Sequence, residues 1–285
     1  MNITYRNVFV AGALLTVSSL ASAQTQPSLP PEKTAVVYGE NIRYIEAGQG
    51  PTAILLHGLG SVKEIWSANI GALSAKYHVY APDQIGFGHS DKPLLEYKIT
   101  TFVDFLHAFM QSQNLSKATL VGNSLGGWIA IDFAARHPEM VDKLILVDSA
   151  GLPWGKAPAV DLNPASLADM RTLIDSIFYD KKMVTEQFVL QAFTNHVRNN
   201  DGYTIQRTLA GLAQNQFEDA KLSSIHAPTL VVWGREDELI PVSSGEKLRD
   251  GIPQAKLVVF EQCGHIPQLE KPAEFNQALI DFLGK

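Results

Sequence analysis

The chain has 285 residues, of which 46% are hydrophobic and 18% are charged. This composition is enough to fill a globular core, and it excludes extensive disorder. The formal net charge is -6, so the basic surface that binds nucleic acid is not expected, and we predict no nucleic-acid partner. Cys263 is the only cysteine, which excludes a disulfide within the chain.

Residues 1–23 have the pattern of a secretory signal peptide. Arg6 gives a positive start, Val8–Leu20 is uncharged and mostly apolar, and Ala21-Ser22-Ala23 matches an A-x-A cleavage site. We therefore expect an exported protein, periplasmic or secreted, that is cleaved near Ala23. The alternative is a membrane anchor, but the apolar run is shorter than the ~20 residues that cross a bilayer, so no stable membrane insertion is expected after cleavage. Residues 24–33 are predicted to form an extended tether.

Short β-branched and apolar runs then alternate with amphipathic stretches. The runs predict strands at Thr34–Tyr38, Ile42–Glu46, Thr52–Leu56, Val79–Ala81, Ala118–Val121, Leu144–Val147, Thr229–Trp233 and Leu257–Phe260. Helical spacing of apolar residues predicts helices over Ile99–Met110, Trp128–Arg136 and Ala273–Phe282. This alternation predicts an α/β fold with a mostly parallel sheet, and the first two strands are a candidate hairpin.

The strand pattern stops for about 80 residues between Val147 and Thr229, which is too long for an ordinary crossover. Helical patterns within this stretch predict a small helical cap inserted after the sixth strand. They cover Pro164–Phe178, Lys182–Val197 and Tyr203–Leu212. We place the first part of the core at residues 34–150, the cap at 151–221 and the second part of the core at 222–285.

The predicted cap carries large apolar side chains and three arginines. The apolar residues are Trp154, Met170, Phe178, Tyr179, Met183, Phe188, Phe193, Tyr203 and Phe217. We expect most of them to pack the cap against the core and the others to line a pocket. Arg171, Arg198 and Arg207 are candidates for binding a substrate carboxylate, with solvated helix faces as the alternative.

A serine between glycines follows the fifth predicted strand. Gly122-Asn123-Ser124-Leu125-Gly126 is a G-x-S-x-G pattern between a strand and a helix. A serine in such a sharp turn adopts strained backbone, and glycines two residues away on either side avoid a collision with neighbouring backbone. The pattern predicts that Ser124 is a nucleophile, and the alternative is a glycine-rich connection without chemistry.

A serine nucleophile needs a base, and the base needs a carboxylate that orients it. His265 follows the last predicted strand, and Asp237 follows the strand before it. The chain order Ser, Asp, His fits this sheet topology, so we predict a catalytic triad of Ser124, Asp237 and His265. The alternative carboxylates are Glu236, Glu238 and Asp148.

The segment His57-Gly58-Leu59-Gly60 follows the third predicted strand. Acyl transfer needs preorganised N–H groups for the oxyanion, and we predict the backbone N–H groups of Leu59 and Leu125 as donors. The residues that support these turns are His57, Gly58, Gly122, Asn123 and Gly126. The alternatives are a simple strand-ending turn or a phosphate loop, although neither G-x-G-x-x-G nor a Walker pattern occurs. No H-E-x-x-H or paired-cysteine pattern occurs, so we predict neither a metal nor a cofactor.

Together these motifs resemble those of α/β-hydrolase-fold proteins, over roughly Tyr38–Leu283. They are His57–Gly60, Asp83–Ser90, the turn at Ser124 and the loops of Asp237 and His265. The resemblance implies an eight-stranded sheet, a lid between the sixth and seventh strands, and a structural turn at Asp83–Ser90 beside the pocket. Serine at position 124, where haloalkane dehalogenases and epoxide hydrolases of this fold have aspartate, argues against both of those activities.

Within this fold the chain resembles esterases and hydrolases of meta-cleavage ring-fission products, on the sequences Gly122–Trp128 and Cys263–His265. It departs from the latter at Ile266, where tryptophan is common, and at Leu59-Gly60-Ser61, where a Ser- or Gly-rich loop is common. Export is also unexpected for intracellular catabolism. We therefore rank first the hydrolysis of carboxylic esters of small, hydrophobic substrates through an acyl-enzyme.

Three alternatives to ester hydrolysis stay open on the sequence. The first is carbon-carbon bond hydrolysis of ring-fission diketones, so that the partner is a small-molecule ester or ketone. The others are a cofactor-free perhydrolase and a non-catalytic small-molecule binder on the same fold, because a fold does not fix a function. The sequence indicates no oligomeric state.

Overall fold

A computed structural model describes residues 29–153, 159–213 and 219–284. The predicted signal peptide, residues 1–23, lies outside the described residues, as do residues 24–28 of the predicted tether. Within the described ranges, no helix has the length and apolarity needed to cross a membrane.

One central sheet contains eight strands. They are β1 (Lys33–Val37), β2 (Glu40–Ala47), β3 (Thr52–Leu56), β4 (His78–Pro82), β5 (Ala118–Asn123), β6 (Val141–Val147), β7 (Thr229–Gly234) and β8 (Lys256–Phe260). Their order across the sheet is β1-β2-β4-β3-β5-β6-β7-β8. β2 pairs antiparallel with β1 and β4, and the other neighbours are parallel. The predicted mostly parallel, eight-stranded sheet is therefore confirmed, with its leading hairpin.

Helices flank this sheet and also fill the long stretch between β6 and β7. In chain order they are α1 (Ser67–Ser74), α2 (Ile99–Ser112), α3 (Leu125–Arg136), α4 (Leu167–Ile177), α5 (Glu186–Asn199), α6 (Asp201–Leu212), α7 (Asp219–Ser223), α8 (Val242–Gly251), α9 (Pro267–Glu270) and α10 (Pro272–Leu283). Short 3-10 helices occur at Lys63–Trp66, Pro138–Met140 and Lys181–Met183. Helices α4, α5 and α6 form the cap.

The second predicted cap helix, Lys182–Val197, is divided in the structure. Lys181–Met183 is a 3-10 turn, and α5 begins only at Glu186. The break occurs because the Thr185 side chain accepts a hydrogen bond from the Phe188 N–H at 3.1 Å, which caps a new helix.

The central strands are buried on both faces. Ile54 and Leu56 of β3 belong to one apolar cluster, and Leu55 between them belongs to the other. Successive side chains of a strand point to opposite faces, so each cluster packs one layer of helices against the sheet. This packing fixes the carboxyl ends of the parallel strands along one edge, where their loops can meet.

The cap has a small apolar core of its own. Its buried members are Met170, Ile174, Phe178, Val184, Val189 and Ile266. Ile266 comes from the loop after β8, so the cap packs directly on the segment that carries His265. Phe188 and Phe193 are partly buried in the same cluster, whereas Tyr179 and Tyr203 are exposed. Trp154 and Phe217 lie outside the described residues.

The predicted tether needs a correction at residues 29–33. Leu29 packs against an apolar cluster of the core, and Lys33 already begins β1. The Glu32 carboxylate lies 2.7 Å from the Lys63 ammonium, an ion pair that holds this segment on the folded domain. The fold therefore starts earlier than the tether prediction placed it.

Candidate active site

Ser124 occupies a strained turn between β5 and α3. Its backbone has φ 54° and ψ -118°, a region that non-glycine residues rarely adopt. A Cβ on Gly122 would lie 2.3 Å from the Gly126 carbonyl oxygen, and a Cβ on Gly126 would lie 2.3 Å from the Leu56 carbonyl oxygen. Only glycine fits at these two positions, which is the mechanical reason for the G-x-S-x-G spacing. The turn leaves Ser124 partly exposed at the start of α3.

His265 and Asp237 form a buried hydrogen-bonded pair at the ends of β8 and β7. Nδ1 of His265 lies 2.7 Å from Oδ2 of Asp237. The other oxygen, Oδ1, accepts hydrogen bonds from the N–H groups of Leu239 and Ile240 at 2.8 and 3.0 Å. An ionised carboxylate accepts only, so the imidazole proton is on Nδ1 and the lone pair is on Nε2. The hydrogen bond therefore fixes the orientation of the imidazole ring.

Asn123 ties the serine turn to the histidine loop. Its side-chain NH₂ donates to the carbonyl oxygens of Val147 and His265, both at 3.1 Å. On the opposite side, a Cβ on Gly58 would lie 3.1 Å from Cβ of Ser124. The structure thus brings the Ser124 turn, the His265 loop and the loop after β3 to the same edge of the sheet.

His57 shapes the loop that was predicted to hold the oxyanion. Its Nδ1 donates to the Gly58 carbonyl oxygen at 2.8 Å, and its Nε2 accepts from the Gln84 N–H at 3.0 Å. Complete burial lowers the pKa of His57, which agrees with a neutral ring. Both ring nitrogens are occupied, so His57 links the Gly58 carbonyl group, next to Leu59, to Gln84. Leu125 begins α3, and the first N–H groups of a helix have no acceptor within it.

The alternative carboxylates have other partners. Glu236 accepts a hydrogen bond from the Cys263 N–H at 3.0 Å, and Glu238 is an exposed residue 3.4 Å from the Lys181 ammonium. Asp148 is fully buried at the end of β6, where its Oδ1 accepts from the Gly234 N–H at 2.9 Å. Burial and the neighbouring Asp237 raise the pKa of Asp148 well above its usual range.

Glu270 fastens the cap to the histidine loop, a role that the sequence did not reveal. Its Oε1 accepts from the Gly264 N–H at 2.7 Å, and its Oε2 accepts from the Tyr179 and Asp180 N–H groups at 2.8 and 3.1 Å. His265 itself donates its backbone N–H to the Ile177 carbonyl oxygen at 2.8 Å. The end of α4 therefore contacts the His265 backbone and helps to hold it in place.

Lys63 is a second residue that the sequence did not single out. Its side chain is 1% exposed, and its ammonium lies 2.8 Å from Oδ2 of Asp83. Burial opposes the charged form, but the ion pair prevails and raises the pKa of Lys63. Asp83 also accepts the backbone N–H groups of Lys63 and His89 at 2.7 and 2.9 Å. This arrangement holds the predicted turn at Asp83–Ser90, and Gln84 of that turn supports His57.

Two groups of side chains in the described residues have donor atoms close enough for a cation. They are Asp148, Asp237 and His265, and Glu32, Asp83 and His89. In the first group, a hydrogen bond of 2.7 Å already joins Asp237 to His265. In the second group, the Lys63 ammonium forms ion pairs with the carboxylates of Glu32 and Asp83, so a positive charge already lies between them. Both arrangements are accounted for by hydrogen bonds and ion pairs.

Comparison with known proteins identifies relatives of this chain. A family model described as the alpha/beta hydrolase family matches residues 53–278. A 2-hydroxy-6-oxo-6-phenylhexa-2,4-dienoate hydrolase from Comamonas testosteroni is 34% identical, over 85% of this chain and 91% of the relative. A solved meta-cleavage product hydrolase from Pseudomonas fluorescens IP01 is 31% identical with a TM-score of 0.82, covering 88% of this chain and 97% of that chain.

A second solved structure, a membrane phospholipase A described as a bacterial virulence factor, is also 31% identical. Its TM-score is 0.79, and the match covers 89% of this chain and 86% of that chain. Relatives with different substrates thus share this fold across nearly the whole described chain. From the family match, the sheet order and the strained serine turn, the chain belongs to the α/β-hydrolase family.

Proposed function

We propose that the chain is a serine hydrolase in which Ser124 attacks a carbonyl carbon of the substrate. Nε2 of His265 accepts the Ser124 hydroxyl proton, and Asp237 holds the imidazole through its Nδ1–H. The N–H groups of Leu59 and Leu125 stabilise the oxyanion. The 2.7 Å bond between His265 and Asp237 is the observation that carries this proposal, because it leaves Nε2 free of the proton.

The reaction we propose is hydrolysis of a carbon-carbon bond beside a ketone. The sequence alone ranked ester hydrolysis first, but the similarity to a named dienoate hydrolase and a meta-cleavage product hydrolase favours the alternative. In the diketo form of such a substrate, attack by Ser124 gives an alkoxide at the ketone carbon. Its collapse breaks the bond to the neighbouring carbon, which is conjugated to the second carbonyl and therefore accepts the electron pair. That carbon takes the proton held by His265, and water then hydrolyses the acyl ester.

Ester hydrolysis is the second candidate, and the cap arginines favour it. A dienoate carries a carboxylate that needs a cationic partner, whereas a neutral ester does not. Arg171 is bound to Glu186 at 2.6 Å, and Arg207 lies 3.8 Å from Glu96. Arg198 is exposed on α5. The similarity to a phospholipase A supports the same candidate.

A direct comparison of substrates tests the two candidates. The purified chain is given 2-hydroxy-6-oxo-6-phenylhexa-2,4-dienoate and a series of p-nitrophenyl esters of increasing length, with Ser124→Ala as the control. Carbon-carbon hydrolysis is expected to give the higher kcat/KM. A higher kcat/KM for an ester would establish the second candidate instead. Turnover of neither, with no covalent labelling of Ser124, would refute a hydrolase and favour a binding protein.

We also propose that the chain is exported and cleaved near Ala23. The charge, apolar run and cleavage pattern of residues 1–23 support this, together with a single cysteine that needs no reducing compartment. Cell fractionation of a bacterium expressing a C-terminally tagged chain, followed by amino-terminal sequencing, tests it. An uncleaved cytoplasmic protein would contradict the proposal, and an uncleaved membrane-bound protein would establish the anchor alternative.

A further inference from the structure

A second carboxyl group lies directly behind the His265–Asp237 pair. Asp148 follows β6, and its backbone N–H donates to the Val232 carbonyl oxygen of β7 at 3.0 Å. Its Oδ1 accepts from the Gly234 N–H at 2.9 Å, which fixes the side chain between the two strand ends. The other oxygen, Oδ2, is buried, and no donor of the described structure reaches it.

The carboxyl group of Asp148, which carries this unpartnered oxygen, lies close to Asp237. Oxygen atoms of Asp148 and Asp237 and a ring nitrogen of His265 all lie within 4.8 Å of one another. Two ionised carboxylates at this separation, buried away from solvent, repel each other strongly, and a single proton shared by the pair removes the repulsion. One of the two groups must therefore be protonated.

The hydrogen-bond partners decide which carboxyl holds the proton. Asp237 accepts three hydrogen bonds, from Leu239, Ile240 and His265, and each of them stabilises its ionised form. From the described residues, the Asp148 side chain accepts one hydrogen bond, from Gly234. The proton therefore belongs on Asp148, on the oxygen that has no other partner.

We propose that Asp148 is a neutral carboxylic acid whose Oδ2–H donates to the Asp237 carboxylate, which makes Asp148 a positioning residue for His265. The proposal rests on the proposed roles of Asp237 and His265. The donated bond holds the Asp237 carboxylate in place beside Nδ1 of His265. Among the described residues, Glu270 adds a further negative charge nearby, which disfavours a second ionised carboxyl there. Burial keeps the Cys263 thiol neutral, so it adds no charge.

Two substitutions separate the donor role from a merely structural one. Asp148→Asn keeps an oxygen for Gly234 and an NH₂ donor for Asp237, so kcat/KM is expected to stay within about threefold of the wild type. Asp148→Val removes the donor at similar volume, and kcat/KM is expected to fall about 10- to 100-fold, the size of a lost hydrogen bond to a charged group. Asp142→Asn, at an exposed position of the same strand, is the control.

Three further readouts distinguish this role from a loss of folding. The infrared difference spectrum between the wild type and Asp148→Asn is expected to contain the C=O stretch of one protonated carboxylic acid, and the difference spectrum between the wild type and Asp142→Asn is not. The Nδ1–H proton resonance of His265 is expected to shift in Asp148→Val and to stay in place in Asp148→Asn. The alkaline limb of the pH profile of kcat/KM, where Asp148 ionises beside Asp237, is expected to vanish in Asp148→Asn.

An absent acid band, or equal losses of kcat/KM in Asp148→Asn and Asp148→Val with unchanged Tm, would overturn the proposal. If the wild type hydrolyses neither substrate class, the proposed function fails. The infrared band and the His265 resonance still decide the protonation and positioning by Asp148, because neither depends on turnover.

Discussion

Replacing Asp237 by asparagine removes one of the two oxygens that the site uses. Oδ1 accepts the N–H groups of Leu239 and Ile240 at 2.8 and 3.0 Å, and Oδ2 accepts Nδ1–H of His265 at 2.7 Å. Asparagine has one oxygen and one NH₂ group. The oxygen can stay with the two backbone N–H groups, or the side chain can flip and present NH₂ to them.

The structure decides between these orientations. The flipped side chain would leave two backbone donors without an acceptor, at about 1–3 kcal/mol each, or about 2–6 kcal/mol in total. The oxygen therefore stays with the backbone, and the NH₂ group of Asp237→Asn donates to Nδ1 of His265. The imidazole proton then moves to Nε2, the atom that has to accept the proton of Ser124. A loss of about 10⁴-fold in kcat is expected, as for the same change in a serine protease triad.

The assay is kcat of Asp237→Asn on the better substrate found for the wild type, with Tm measured alongside. Side-chain volume hardly changes, so Tm is expected to stay within a few degrees, about 1 kcal/mol in stability. Glu238→Gln, an exposed neighbour, is the control and is expected to keep wild-type kcat. A loss below tenfold in Asp237→Asn would refute the assignment of the orienting carboxylate.

Three further predictions concern stability. Gly126→Ala puts Cβ 2.3 Å from a backbone oxygen and is expected to destabilise the folded state by at least about 1–3 kcal/mol. Gly71→Ala in α1, where a Cβ would have nothing within 4 Å, is expected to stabilise the folded state by up to about 1 kcal/mol, and equal Tm values for the two variants would contradict this. Lys63→Met leaves the buried Asp83 carboxylate unpaired, and the free energy of unfolding in urea is expected to fall by about 3–5 kcal/mol. Lys117→Met, at an exposed ion pair, is expected to lower it by at most about 1 kcal/mol, and similar losses for the two variants would contradict this prediction. Burial raises the pKa of Asp201 to about 7, so the folded state holds a proton there that the unfolded chain releases near pH 4, and stability is expected to fall by up to about 4 kcal/mol as pH rises from about 4 to about 7. Asp201→Asn is expected to remove that part of the slope, and an unchanged slope in urea unfolding would contradict the assignment.

The strands could be predicted from the sequence because parallel strands buried on both faces are continuous apolar runs. The predicted start of β6 was wrong by three residues. The strand begins at Val141, which pairs with Ala118 of β5, and the register is irregular before Leu144 pairs with Leu120. Asp142 is exposed and Lys143 is half-buried, so these two residues interrupt the apolar run. An apolar pattern finds the continuously buried part of a strand and misses an end that polar side chains separate from it.

The local motifs of the site could also be read from the sequence, because glycines at Gly122 and Gly126 follow from the steric demands of one turn. Lys63 and Glu270 could not, since their partners lie elsewhere in the chain and nothing local indicates which charged residue becomes buried. Asp148 was treated as a rival of Asp237. Parallel pairing of β6 with β7 makes the two carboxyls neighbours instead.

Covalent capture of Ser124 tests the central claim most directly. A fluorophosphonate probe is expected to add one adduct to the wild-type chain, on the peptide that contains Ser124, and to leave Ser124→Ala unlabelled. His265→Gln is expected to label far more slowly, because the base that accepts the hydroxyl proton is missing. An adduct on any other residue, or equal labelling of Ser124→Ala, would contradict the assignment of the nucleophile.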